Sequence, residues 1–157
     1  MKSVEEYVER YRQTLQEAIP EEPVWGVGLM CTVGATKSAL TGALVSPLAG
    51  LIMRRKGANK AKGFPMNSAI AVTPTRFIAF EYRPRATGIK LKRRVVEWPR
   101  QQVRLDIVPP AKAKGLHHAR FTLPDGDSYE LEITRSLGQY QRMNDSFFAA
   151  VGLPSPY

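Results

Sequence analysis

The chain has 157 residues, a net charge of +9 and a single cysteine, Cys31. That length suits one domain burying roughly 70% of its unfolded surface, so no metal is needed to hold it together, and one cysteine excludes an intramolecular disulfide. No apolar run reaches the ~20 residues that span a bilayer, and the acidic, amphipathic start does not resemble a signal peptide; the expected location is cytoplasmic, with peripheral attachment at the inner membrane face as the alternative.

Ser3 and Glu6 form a capping box ahead of a helix on which Val4, Val8, Tyr11, Leu15 and Ile19 share one face, and Pro20 stops it. This apolar stripe is expected to pack on the domain, with partner docking as the competing reading. Residues 24–33 read as a strand with Trp25, Val27, Leu29, Cys31 and Val33 on the core face. Gly26 and Gly28, on the other face, admit a close approach to the backbone or mark a bulge. Cys31 reads as a small core hydrophobe rather than a nucleophile.

Residues 34–65 form an insertion. Its stretch 39–53 is apolar and uncharged, and Arg54, Arg55, Lys56, Lys60 and Lys62 follow. Such a segment must bury itself under the sheet, on a membrane, or against a protein partner or second copy of the chain.

The centre of the fold is a hairpin over 66–83, in which Ile70 and Val72, then Ile78, Phe80 and Tyr82, alternate about a Thr73-Pro74-Thr75 break. A turn over 83–88 leads to a strand over 89–98. There Ile89, Leu91, Val95 and Trp98 share a face only if a bulge falls near 93–96, and Lys90, Lys92 and Arg94 point to solvent together. Val103, Leu105 and Ile107 mark a short strand ended by Pro109 and Pro110, and 111–115 is a basic loop.

Ala119, Phe121 and Leu123 face inward, and Asp125-Gly126 turns the chain into Tyr129, Leu131 and Ile133. Glu130 and Glu132 then face outward, with Arg120 across from one of them. Ser136 with Gln139 caps a last helix with the stripe Leu137, Tyr140, Met143, Phe147 and Val151, closed by Gly152 and Pro154. The fold class is α+β, mainly β: one domain over 1–157, with a helix in 1–22 and a body over 23–153. That body is a bent antiparallel sandwich of about seven strands with a C-terminal capping helix.

Charge is unevenly placed: net −3 over 1–22, +6 over 23–65, +7 over 66–104 and −1 over 105–157. A positive middle suggests a polyanionic partner such as lipid head groups, nucleic acid or an acidic protein; solubility charge on solvent-facing positions is the competing explanation.

The stretch Ala71-Val72-Thr73-Pro74-Thr75-Arg76-Phe77-Ile78 resembles a hairpin common in bacterial pleckstrin-homology-like and GRAM-type domains, and Glu97-Trp98-Pro99-Arg100-Gln101-Gln102-Val103 resembles the strand-turn-strand that follows it in those families. The SVEEY start and LPDG turn also resemble a group of uncharacterised actinobacterial proteins. The first resemblance implies a bent antiparallel sandwich closed by a helix. It also implies that an anion or lipid head group is held by basic residues of the first inter-strand connection, here Arg54, Arg55, Lys56, Lys60 and Lys62, and of the later turn and strand, here Arg83, Arg85, Lys90 and Lys92. The connection carries an apolar insert where a short loop is usual, and no phosphoinositide signature crosses it, so the implied ligand is a class rather than a named inositide.

Catalytic patterns are absent. Adjacent His117 and His118 on a strand face opposite sides and cannot grip one metal. Gly26-x-Gly28 lacks the rest of a dinucleotide fingerprint, and no G-x-S-x-G elbow exists. The expected role is a non-catalytic binding or interaction module with no cofactor, for a protein partner or an anionic membrane surface. The alternative is nucleic-acid binding through Lys90, Lys92, Arg93, Arg94, Arg100 and Arg104.

Overall fold

The computed structural model describes residues 3–33, 63–108, 116–134 and 142–156. The apolar stretch 39–53, the cations Arg54, Arg55, Lys56, Lys60 and Lys62, the loop 111–115, and the expected cap at Ser136 and Gln139 with Leu137 and Tyr140 lie outside the described residues.

Helix α1 (Val4–Ala18) starts as its sequence dictates. Ser3 Oγ accepts from the Glu6 N–H at 3.2 Å and the Glu6 carboxylate accepts from the Ser3 N–H at 2.9 Å, satisfying two amides that the first turn leaves free. The stripe ends in Tyr11, Leu15 and Ile19, all buried against the sheet; the helix packs on its own domain.

Among the described residues seven strands follow: β1 (Gly26–Thr32), β2 (Asn67–Val72), β3 (Arg76–Arg85), β4 (Gly88–Pro99), β5 (Arg104–Val108), β6 (His118–Thr122) and β7 (Ser128–Ile133). They form one sheet in the order β4-β3-β2-β1-β7-β6-β5, and every pairing is antiparallel. A short helix, α2 (Asp145–Val151), comes last. It ends in a Schellman motif at Gly152 (φ 73°), where the Gly152 N–H reaches Ala149 O at 3.3 Å and the Leu153 N–H reaches Phe148 O at 3.0 Å.

The sheet bends back on itself. Trp98 of β4 lies 5.4 Å from Phe121 of β6 and 5.1 Å from Tyr129 of β7, although four strands separate β4 from β6 in the sheet order. Phe77 of β3 meets Phe121 edge-on at 5.6 Å. The inner face therefore closes around these rings, with Phe147 and Phe148 of α2 plugging it. The outer face of β1 to β4 is covered by α1, through Val27, Leu29, Ile78, Phe80 and Tyr82.

Strand β1 is consequently buried on both sides, against the expectation of a single core face. Its glycine face receives α2: a Cβ on Gly26 would stand 2.2 Å from Ser146 O, and one on Gly28 would stand 2.8 Å from the Phe147 ring. Trp25 is corrected too. It is 53% exposed, because Val24 rather than Trp25 joins Val27 and Leu29 under α1; the alternation begins only with the strand, and the indole is turned out beneath the Arg100 guanidinium.

Pairing between β1 and β7 covers only Met30 to Thr32. Upstream, the free edge of β1 is met by side chains from the α2 region: the Val27 N–H donates to Ser146 Oγ at 3.2 Å and the Leu29 N–H to Asn144 Oδ1 at 2.9 Å. Asn144 in turn donates to Thr134 O at 3.0 Å. This buried amide does for β1 what a neighbouring strand would do.

The bulged region of β4 appears as two register shifts, opposite Ala79/Phe80 and Phe80/Tyr82. They split the expected solvent row: Arg94 pairs with Phe80, lies 5.4 Å over its ring and reaches Ala18 O of α1, away from Lys90. The turn expected over 83–88 is also tighter, since β3 runs on to Arg85 and only 86–87 remain as turn.

Candidate anion-binding site

The β3–β4 hairpin tip carries the candidate site. In the β3–β4 register Arg83 stands directly opposite Lys90, and Arg85 and Lys92 flank this pair. All four are exposed. Directly opposed like charges destabilise a sheet, so the hairpin holds an electrostatic tension that a bound anion would relieve. The nearest strand carboxylate, Glu81, is already engaged by Arg93 at 3.0 Å. Among the described residues, none of the four makes an ion pair.

The tip is held in place by α1, whose Arg10 Nη1 donates to Thr87 O at 2.6 Å. Sequence reasoning missed Arg10, which carries no signal beyond its helical position. Strand β1 ends at Thr32 and β2 begins at Asn67 at the end of the sheet from which the β3–β4 hairpin projects.

The other cations of 90–104 are spoken for. Arg93 pairs with Glu81, Arg94 with Glu97 at 3.1 Å, and Arg104 with Asp106 at 3.0 Å. Arg100 donates to Thr73 O at 2.9 Å and Ala150 O at 3.0 Å while lying over the Trp25 and Phe77 rings. Of the six residues expected to form a nucleic-acid face, only Lys90 and Lys92 are uncommitted among the described residues.

Arg76, the arginine of the quoted hairpin motif, is a structural clamp. It meets Glu22 at 2.6 Å, Glu21 at 2.9 Å and Glu97, joining the chain after α1 to β3 and β4. The Thr75 hydroxyl, Arg76 and Thr73 together hold the Glu22 carboxyl below the ordinary glutamate range, and Arg76 does the same to Glu21. A depressed carboxyl contributes stability that is fully present above its unfolded pKa of about 4.3 and is lost as pH falls through the lower folded value. Glu21 is too exposed to count for much, so Glu22 dominates. Arg76→Met is expected to cost about 2 kcal/mol at neutral pH. Its melting temperature should also fall less steeply than that of the parent between about pH 6 and pH 3. Parallel pH profiles for the two proteins would remove the clamp from the account.

A second polar cluster lies on the outer face. Cys31, Glu132 and His118 are successive cross-strand neighbours on β1, β7 and β6. The Cys31 thiol donates to Glu132 Oε1 at 3.7 Å, His118 Nε2 is 3.9 Å from Glu132 Oε2, and His118 Nδ1 is 2.6 Å from Glu130, which also meets Arg120 at 3.3 Å. Glu132 was expected to face solvent but is 1% exposed, because thiol and imidazole close over it from both neighbouring strands. Burial, then the nearby Cys31 and Tyr11, push the Tyr82 phenol well above its ordinary value. Among the described residues, no three His, Cys, Asp or Glu side chains converge to hold a metal ion, and no helix is long and apolar enough to cross a membrane. No protein-family model, curated protein or solved structure matches the chain.

Proposed function

We propose that this chain is a non-catalytic binding module for an anionic surface, an anionic membrane face or an acidic protein, with the β3–β4 hairpin tip as the contact. The observation that carries the reading is the opposed pair Arg83 and Lys90, with Arg85 and Lys92 beside it and no ion pair to any of the four among the described residues. The strand order, the antiparallel pairing throughout and the helix plugging the bend support assigning the body to the pleckstrin-homology-like class, in which this end of the sheet meets the ligand. Nucleic acid is the lesser reading, since ion pairs and backbone contacts occupy Arg93, Arg94, Arg100 and Arg104.

Each cation near an anionic bilayer contributes about 1 kcal/mol. Neutralising Arg83 and Lys90 to glutamine together should therefore weaken co-sedimentation with anionic vesicles roughly thirtyfold. The same double variant should melt no lower than the parent, because it removes a repulsion. Vesicle binding should fall with added salt and be absent with neutral vesicles. An unchanged affinity in the double variant would exclude the hairpin tip as the contact; binding to neither vesicle would leave the acidic-protein arm of the reading.

A further inference from the structure

The two edges of the sheet are built differently. Strand β4 carries Lys90, Lys92, Arg93 and Arg94 and two bulges, devices that discourage another strand from adding. Strand β5 has no bulge and one charge of each sign, Arg104 and Asp106: it pairs with β6 in unbroken register from Arg104↔Thr122 to Val108↔His118, and its outer edge takes no strand among the described residues. A groove at this strand is lined by Leu105, Asp106, Ile107, His117 and residues 153–156. Residues 153–156 are not a strand. Pro154 and Pro156 have no N–H, and that of Leu153 is used by Phe148 O.

The chemistry along this edge is self-complementary. In Val103-Arg104-Leu105-Asp106-Ile107, apolar residues alternate with one cation and one anion placed symmetrically about Leu105. Val103, Leu105 and Ile107 pack toward the inner core, while Arg104 is 78% exposed. Two antiparallel copies with a two-fold axis at Leu105 would set Arg104 against Asp106 of the partner subunit twice and Val103 against Ile107 of the partner subunit twice. Centring on Asp106 or on Arg104 opposes like charges, and a shift by a single residue sets apolar side chains against charged ones. The register centred on Leu105 satisfies the five positions 103–107, of which Val103 immediately precedes the strand.

We propose that the chain forms a two-fold dimer by antiparallel addition of β5 to β5 of a second copy, continuing the sheet across the axis. The Arg104–Asp106 ion pair now made along one strand is exchanged for two between subunits. This surface is separate from the cationic hairpin tip on β3 and β4.

Sedimentation equilibrium of the full chain over a wide concentration range tests the proposal. The parent should show a monomer–dimer equilibrium. Arg104→Asp alone and Asp106→Arg alone should each weaken it about tenfold or more, because both inter-subunit pairs become repulsive. Mixing the two variants should restore dimer, since each supplies the charge that the other lacks. If Asp106→Arg, which faces Arg120 of β6, fails to fold by circular dichroism, the double variant Arg104→Asp with Asp106→Arg replaces the mixture and should dimerise like the parent. A parent that stays monomeric at the highest concentration overturns the proposal. So does a dimer that neither reversal affects, or one that the mixture or double variant fails to recover.

Discussion

Replacing Gly26 with alanine is expected to cost about 3 kcal/mol and to lift α2 from the sheet. The new Cβ would stand 2.2 Å from the carbonyl oxygen of Ser146 and 3.0 Å from Ala150 Cβ. The first of these is backbone, which cannot rotate away, so the helix itself must move. As it moves it withdraws Ser146 Oγ and Asn144 Oδ1 from the Val27 and Leu29 amides, leaving β1 with unsatisfied donors. The loss thus combines overpacking with broken hydrogen bonds, and both fall on one element. Urea unfolding should show the lowered midpoint, and hydrogen exchange should show faster exchange over 147–151 than in the parent. Full protection of α2 in the variant would mean that the helix does not depend on this contact.

Truncating Trp98 to alanine should cost about 3–5 kcal/mol. The indole is buried and touches Phe64 at 5.8 Å, Phe121 at 5.4 Å and Tyr129 at 5.1 Å, so it is where the two halves of the bent sheet meet. A domain of this size has a total stability of about 5–15 kcal/mol, so the loss is a large share of the whole. Trp98→Phe should recover most of it, since a ring of related shape still fills the space. The denaturant midpoint of each variant, with the slope unchanged, separates lost packing from a changed unfolded state. A cost below about 1 kcal/mol would mean that the halves close without this residue.

Local signals translated directly into structure. The Ser3–Glu6 box, the stripe through Tyr11, Leu15 and Ile19, the bulging of β4 and the cap at Gly152 depend on residues within a few positions of one another, and each stands where its pattern placed it. The paired glycines of β1 announced a close approach, and a helix makes it. What could not be read was everything set by partners across the sheet. Alternation says which way a side chain points but not what waits there. Thus Trp25 was assigned inside although the strand had not yet begun, and Glu132 was assigned outside although Cys31 and His118 enclose it. The candidate cationic site came from the resemblance, which carried Arg83, Arg85, Lys90 and Lys92 over by their position at the turn and strand after the central hairpin. That Arg83 opposes Lys90, while Arg93 and Arg94 are neutralised by glutamates, follows from register, which charge counting does not contain.

The completion of β1 by Asn144 and Ser146 bears on how the chain comes to be folded at all. The strand is made early in synthesis, yet the groups that finish its bonding lie 115 and 119 positions downstream. A nascent chain on the ribosome therefore carries its central ribbon half-dressed until the closing helix has emerged. Loops of that length are slow to shut, and an uncovered ribbon of this kind invites intermolecular pairing meanwhile.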